Sequence, residues 1–153
     1  MARFLREPLR VSAAIAAPIE SVWEVLADLP AQPKWMTDAL EVRVTSGQPY
    51  GLGTRAVVPT RIAGITVTDE IEVTRWEPPH HLGIRHVGRL FSGDALISVE
   101  PAGAGSLVTW EEDLQPPLGM LGRAGFWFGR PVLRRQFAGD LARLKNLVES
   151  RPG

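Results

Sequence analysis

Three ionisable side chains fall among apolar residues in the middle of the chain, and their types could support acid–base chemistry. Asp69, His86 and Glu112 each follow an apolar residue two positions earlier, so each is expected on the inward face of a predicted strand. A carboxylate beside an imidazole in an apolar pocket favours the charged imidazolium. Such a group can act as an acid or a base on a bound carbonyl. One hypothesis is therefore that Asp69 and His86 form a catalytic pair.

The predicted strand pairing decides which of these side chains can meet. A hairpin centred on residues 78–79 places His86 opposite Ile71 and diagonal to Asp69, a separation of ~7–8 Å between backbones. The two side chains can then approach each other or share a water. Glu112 is expected several residues further along the strands, too far away for direct contact with the pair.

Two structural interpretations of the same residues stay open. In the first, the cavity is wet at one end and the three groups hydrogen-bond to water or to Arg135. In the second, a β-bulge turns one of the side chains outward. His80 and His81 fall in the predicted turn, where we expect solvent to surround them, so they are not site candidates.

Other kinds of active site lack the residues that they need. One inward histidine and two scattered carboxylates do not supply the three or four convergent ligands that zinc requires, so no metal is expected. The chain has no cysteine and no Gly-x-Ser-x-Gly turn for nucleophilic catalysis. Residues 51–53, Gly-Leu-Gly, lack the third glycine and the following helix of a dinucleotide-binding fingerprint. We therefore expect no cofactor.

Alternating apolar residues predict the strands that would position these groups, and the short connections make neighbouring strands antiparallel. The predicted strands span residues 9–17, 40–44, 54–62, 65–76, 81–87, 91–100 and 106–114. After the first strand, Pro18 suits the first turn of a helix, and residues 32–36 indicate a second short helical turn. The predicted class is α+β: a curved seven-stranded antiparallel sheet around a long C-terminal helix, with two short helices after strand 1.

The C-terminal helix is predicted from apolar residues that recur in steps of three and four. They are Leu133, Phe137, Leu141, Leu144 and Val148. The segment before them is rich in glycine, which costs ~1 kcal/mol per residue in a helix, and Pro131 would break the hydrogen-bond ladder. Two pieces are therefore expected, a loose one through residue 129 and a firm one from about residue 130. The loose piece has three open interpretations: a lid over a ligand, core packing, or a surface for a partner or a membrane.

Composition narrows the class of protein further. The 153 residues, 44% of them hydrophobic, suit a single domain spanning residues 1–153. Seventeen basic and seventeen acidic residues cancel, which argues against a nucleic-acid partner. Residues 1–8 lack the apolar run of a signal peptide, and no segment has the ~18 apolar residues of a membrane span. We expect a cytoplasmic protein, and a homodimer remains open.

Three motifs resemble those of one protein superfamily. They are residues 15–28, Ile-Ala-Ala-Pro-Ile-Glu-Ser-Val-Trp-Glu-Val-Leu-Ala-Asp, followed by Trp35; residues 77–79, Glu-Pro-Pro; and residues 140–149. They are similar to motifs of the START-like (SRPBCC) superfamily, above all its polyketide cyclase/dehydrase branch, over residues 8–150. The resemblance implies a helix-grip fold with a cavity for hydrophobic ligands. Lipid carriers, hormone receptors, plant allergens, aromatases and cyclases share that fold, so the fold alone does not select a function.

Three functions are compatible with this resemblance. The first is binding of a small hydrophobic molecule, lipid-like or polyketide-like, between the sheet and the last helix. The second is an aromatase/cyclase enzyme with Asp69 and His86 as its acid–base pair, and the third is an interaction protein with a vestigial cavity. The residues expected to contact a ligand are Trp35, Val58, Val67, Ile71, Ile84, Phe91, Ile97, Trp110, Glu112, Leu121, Phe128 and Val132. The sequence leaves open whether any reaction is catalysed.

Overall fold

A computed structural model describes residues 8–62, 64–115 and 119–151 of the chain. The strands are β1 (Leu9–Ile15), β2 (Arg43–Val44), β3 (Arg55–Ile62), β4 (Ile65–Glu77), β5 (His81–His86), β6 (Ser92–Ala102) and β7 (Gly105–Gln115). The helices are α1 (Ile19–Leu26), a 3-10 helix (Leu29–Lys34) and α2 (Gly119–Glu149). The predicted class and the predicted order of elements are confirmed.

The strands form one antiparallel sheet in the order β1-β7-β6-β5-β4-β3-β2. Strands β2 to β7 follow one another as a meander, and β1 completes the sheet by pairing with β7. A bulge between Val73 and Arg75 shifts the register of β4 against β5, so that Trp76 pairs with Leu82. Directly paired residues face the same side of a sheet, so Trp76 shares the inner face with the fully buried Leu82.

The C-terminal half of α2 packs against the inner face of the sheet. Phe137, Leu141, Leu144 and Val148 are all buried, as predicted. The Phe137 ring stacks on Trp110 of β7, with the ring centroids 4.4 Å apart. Each fully buried leucine contributes about 1.5–3 kcal/mol through the hydrophobic effect. This half of the helix is therefore held to the sheet by its apolar face.

The predicted division of the last helix into two pieces is wrong. Helix α2 runs without interruption from Gly119 to Glu149 and contains Pro131. A proline removes its own N–H from the hydrogen-bond ladder, and a helix can continue beyond that gap. Pro131 is exposed, so water can satisfy the carbonyl that loses its partner.

Two smaller expectations also need correction. Strand β2 contains only Arg43–Val44, although alternation predicted a strand over 40–44, and an isolated bridge joins Ala39 to Thr60 instead. Ile65 alternates with the inward-facing Asp69 and Ile71 of the same strand, which predicts an inward side chain, but it is 67% exposed. It pairs with Ile62 at the end of the β3–β4 hairpin, where a strand extends beyond the part of the sheet that other elements cover.

Candidate functional site

Solvent exposure of the inner face of the sheet increases from the end near Val99 and Val108 to the end near His86. Val99 and Val108 pair with each other and are 0% exposed. Ile84 and Ala95 pair on β5 and β6 and are 7% and 9% exposed. The His86 side chain, at the end of β5, is 15% exposed. The interior is therefore tightly filled at one end of these strands and more accessible at the end that carries His86.

His86 lies between two carboxylates. Its Nδ1 is 2.6 Å from Asp69 Oδ2, and its Nε2 is 2.7 Å from Glu112 Oε1. An ionised carboxylate only accepts hydrogen bonds, so both ring nitrogens donate and the ring is an imidazolium. Burial alone lowers the pKa of His86, but hydrogen bonds and charges of Asp69 and Glu112 outweigh it and raise the pKa to about 10. We refer to these three residues as the His86 network; two carboxylates and one imidazolium give it one net negative charge.

The other oxygen of each carboxylate is also hydrogen-bonded. Glu112 Oε2 accepts a hydrogen bond of 2.9 Å from Trp110 Nε1. Asp69 Oδ1 accepts a hydrogen bond of 2.9 Å from the backbone N–H of Glu70. Bonds at both oxygens fix the orientation of the carboxylates, and these in turn hold the imidazolium in place. Since Trp110 stacks on α2, the network is continuous with the hydrophobic core.

One of the two contacts of His86 in this network was predicted from the sequence. The predicted pairing of His86 with Ile71 is confirmed, and His86 contacts its diagonal carboxylate, Asp69. Nearer the turn the register differs from the prediction by one residue, because of the bulge in β4. The expectation that Glu112 lies too far away is wrong. Strand β6 runs between the two residues, but it places Gly93 opposite His86 and Ala95 opposite Glu112. The signal in the sequence was the small residue Ala95 opposite Glu112 on the intervening strand, because a short side chain there leaves room for the two long side chains to meet.

A bulge that turns a side chain outward and a hydrogen bond to Arg135 were the alternatives for the His86 network, and neither is found. The bulge in β4 lies at residues 73–75 and leaves the three side chains of the His86 network facing inward. Arg135 is exposed and is not the partner of the network. His80 is exposed, as predicted, whereas His81 is half-buried, with its Nδ1 3.3 Å from Ser98 Oγ.

The residues expected to contact a ligand separate into an inner and an outer group. Those buried within the fold are Trp35, Val58, Ile71, Ile84, Ile97, Trp110 and Glu112. Val67 and Phe91 are half-buried. Phe128 and Val132 are 82% and 68% exposed, so they do not line the interior between sheet and helix. The side chain of Leu121 lies outside the described residues, and ligand contact remains a prediction for the whole set.

A second buried polar cluster, which was not predicted from the sequence, joins α2 to the segment after the 3-10 helix. Asp140 is 0% exposed, and its Oδ1 accepts hydrogen bonds from Thr37 N–H and Oγ1, both 3.2 Å, and from Arg143. Burial raises the pKa of the Asp140 carboxyl, while hydrogen bonds from Arg143 and Thr37 oppose the shift. Burial, with the charges of Asp140 and Glu112, raises the pKa of Asp38. The signal was the position of Asp140 on the apolar face of the predicted helix.

The described ranges contain neither a cluster of metal ligands nor a membrane-spanning helix. Within them, no group of three or more histidine, cysteine or acidic residues is arranged to hold a metal ion. In the His86 network each ring nitrogen faces its own carboxylate, so the three side chains do not converge on one point. No helix in the same ranges is long and apolar enough to cross a membrane.

A curved antiparallel sheet around a long C-terminal helix, with two short helices after β1, defines the helix-grip fold of START-like proteins. A family model described as polyketide cyclase / dehydrase and lipid transport matches residues 8–149. The chain therefore belongs to this family. The resemblance that three sequence motifs suggested is confirmed.

Individual relatives are also similar to this chain over most of its length. An uncharacterized protein of Mycobacterium tuberculosis is 31% identical over 144 residues, which cover 90% of this chain and 81% of that protein. A crystal structure of a Deinococcus radiodurans protein has a TM-score of 0.66 at 25% identity, covering 91% of this chain and 94% of that one. A crystal structure of a Thermus thermophilus protein has a TM-score of 0.77 at 18% identity, covering 94% and 97%. The fold is thus shared along nearly the whole chain.

Proposed function

We propose that the protein binds a small hydrophobic molecule, lipid-like or polyketide-like, between the inner face of the sheet and α2. The observation that carries this proposal is the rise in exposure from Val99 and Val108 to Ile84, Ala95 and His86. Apolar residues surround this more accessible region, and a few fixed polar groups lie at its end, a combination that is typical of small-molecule sites.

We also propose a cytoplasmic location, since a chain without cysteine has none of the disulfides typical of small secreted domains.

The bonding of His86 favours binding over catalysis. Both ring nitrogens donate to carboxylates, so neither nitrogen is free for a substrate. A general acid works best when its pKa lies near the working pH, whereas that of His86 is raised to about 10. Releasing the proton would also break a charge-assisted hydrogen bond, which is about twice as strong as a neutral one. We therefore assign the His86 network the role of a fixed polar end of the binding site.

An aromatase/cyclase activity is the second candidate. Contact between Asp69 and His86 at 2.6 Å in a mostly apolar interior supports it, as does the cyclase/dehydrase family. The two candidate functions predict different effects of substituting these side chains. For an enzyme, His86→Ala and Asp69→Asn should each lower turnover of a poly-β-carbonyl thioester by ~100-fold or more. For a binding protein, the same changes should alter ligand affinity by only ~1–2 kcal/mol, with folding checked by circular dichroism.

The binding proposal is tested first by native mass spectrometry of the freshly purified protein, which should reveal a retained apolar compound. The second step is displacement of a fluorescent apolar probe from two variants. Ala95→Leu adds bulk in the more accessible part of the interior and should weaken probe binding by roughly tenfold, or ~1.4 kcal/mol. Ala142→Leu adds the same bulk on the exposed side of α2 and should leave binding unchanged. Equal binding by both folded variants would place the ligand elsewhere and overturn the proposal.

A further inference from the structure

A second concave site lies outside the interior, between α1, the 3-10 helix and the turn before β3. It is a cleft of about 430 Å³, which we call the aromatic cleft. Its walls include three aromatic side chains, Trp23, Tyr50 and Trp76, and two acidic ones, Glu24 and Asp28. The remaining lining residues are alanine, leucine and proline. Neither the family nor the proposed interior site accounts for this combination.

The three rings are set at defined angles to one another. The Trp23 and Trp76 rings are nearly perpendicular, at 73° with centroids 5.2 Å apart. The Tyr50 ring lies within 25° of parallel to Trp76, with centroids 6.4 Å apart. Trp23 is only 8% exposed, so the accessible ring surface belongs mainly to Tyr50 and the half-buried Trp76. The face of an aromatic ring carries partial negative charge and attracts a cation placed over it.

Tyr50 is 65% exposed, but the turn that follows it fixes its position. Gly51 and Gly53 follow it with φ angles of 99° and 85°, a backbone conformation that glycine adopts without strain. The Gly53 N–H donates a 2.9 Å hydrogen bond to the carbonyl of Val73 on β4. The turn is therefore anchored to the strand that carries Trp76, which keeps the two rings together.

The charges around the aromatic cleft also suit a cation. Among the described residues, neither lysine nor arginine lines it. Asp28 is exposed and forms no ion pair with any residue in the described ranges. Glu24 is 3.4 Å from Arg151 and is two-thirds exposed, so it is partly neutralised. Asp28 therefore supplies the negative charge that a bound cation would meet.

We propose that the aromatic cleft binds an organic cation whose charge is spread over alkyl groups, such as a trimethylammonium group. Ring faces favour such a cation, because its charge is diffuse and loses little hydration on binding. The group can come from a free choline-like molecule or from the phosphocholine headgroup of a lipid. The cleft is separate from the interior site: Leu82, which pairs with Trp76, is fully buried, and His86 lies ~13 Å further along β5 at ~3.3 Å per residue.

The proposal is tested by titrating the protein with choline chloride while recording the indole N–H signals of Trp23 and Trp76 by NMR. The control ligand is the neutral isostere dimethylbutanol, in which carbon replaces the charged nitrogen. Choline should shift both signals and bind roughly tenfold more tightly than the isostere. Equal affinities would overturn the assignment to a cation, and unchanged signals at tens of millimolar choline would overturn the site.

Variants then locate the binding. Tyr50→Leu and Asp28→Asn should each weaken choline binding severalfold. Glu20→Gln, which removes an exposed carboxylate from the first turn of α1 outside the cleft, should leave it unchanged. An equal loss from Glu20→Gln would indicate general electrostatic attraction and overturn the site.

Vesicle sedimentation separates the two sources of the cation. Binding to phosphatidylcholine vesicles but not to phosphatidylglycerol vesicles, abolished by Tyr50→Leu, supports a lipid headgroup. Binding of choline without binding to either vesicle supports a free molecule. Stronger binding to phosphatidylglycerol would contradict both sources.

Discussion

At the scale of single residues, the charge on His86 links the site to the stability of the fold. The ordinary pKa of 6.5 applies in the unfolded chain, whereas the folded protein has a pKa of about 10 at His86. The folded state therefore retains a proton that the unfolded state has already lost between these two values. By linkage, the stability from the charged imidazolium is fully present below about pH 6.5 and declines as the pH rises towards about 10.

Urea denaturation at a series of pH values tests this directly. We expect the free energy of unfolding to fall as the pH rises from 6.5 to about 10, the interval set by the pKa of His86. Glu112→Gln removes one of the two carboxylates that raise this pKa, so in this variant the decline should end at a lower pH. A profile that is flat in this interval for the native chain would contradict a charged His86.

The same residues show what a sequence can reveal about a site. Strand alternation and the position of one hairpin were enough to predict that Asp69 and His86 can approach each other or share a water. The contact with Glu112 was missed, because it crosses the intervening strand β6, where the residue opposite Glu112 is the small Ala95. Pairing rules describe neighbouring strands. They do not describe how far side chains reach over a third strand in a curved sheet.

At the scale of elements, the two halves of α2 differ in what holds them. The C-terminal half buries Leu141 and Leu144 completely. Leu141→Ala should therefore lower the free energy of unfolding by ~2–5 kcal/mol, because it leaves a cavity in the core. Asn146→Ala, on the exposed side of the same helix, should change it by less than ~0.5 kcal/mol. A loss below about half a kilocalorie for Leu141→Ala would show that this face is not packed as described.

The N-terminal half of α2 contains four glycines and ends near Pro131, which donates no backbone hydrogen bond. Hydrogen exchange should be much faster across residues 119–129 than across 132–148, since glycine and proline weaken a helix locally. Pro131→Ala restores one donor and should slow exchange in the first segment. Equal protection of both segments in the native chain would contradict this difference. The sequence shows residues of low helix propensity here, but it could not show that the helix continues through them.

At the scale of the whole molecule, the interior has a packed end and a charged end, and the charge is negative. Two carboxylates and one imidazolium leave one net negative charge on the His86 network, and burial raises the pKa of the nearby Asp38 carboxyl. Among the described residues, neither lysine nor arginine is buried. A ligand with an anionic head would therefore meet repulsion in a region of low dielectric constant, because the one cation of the network, His86, is already paired with two carboxylates. A ligand with a hydroxyl head could donate a hydrogen bond to a carboxylate.

The protein should consequently prefer tetradecanol to tetradecanoate, two ligands with the same chain length and different heads. At pH 8 we expect the alcohol to displace a fluorescent apolar probe at roughly tenfold lower concentration than the acid, a difference of ~1.4 kcal/mol. Glu112→Gln removes the net negative charge of the network and should narrow this preference. Glu111→Gln, the adjacent carboxylate that pairs with Arg10 on the outer face, should leave it unchanged. Tighter binding of the acid, or a preference that Glu112→Gln does not alter, would mean that the ligand head does not lie beside the His86 network.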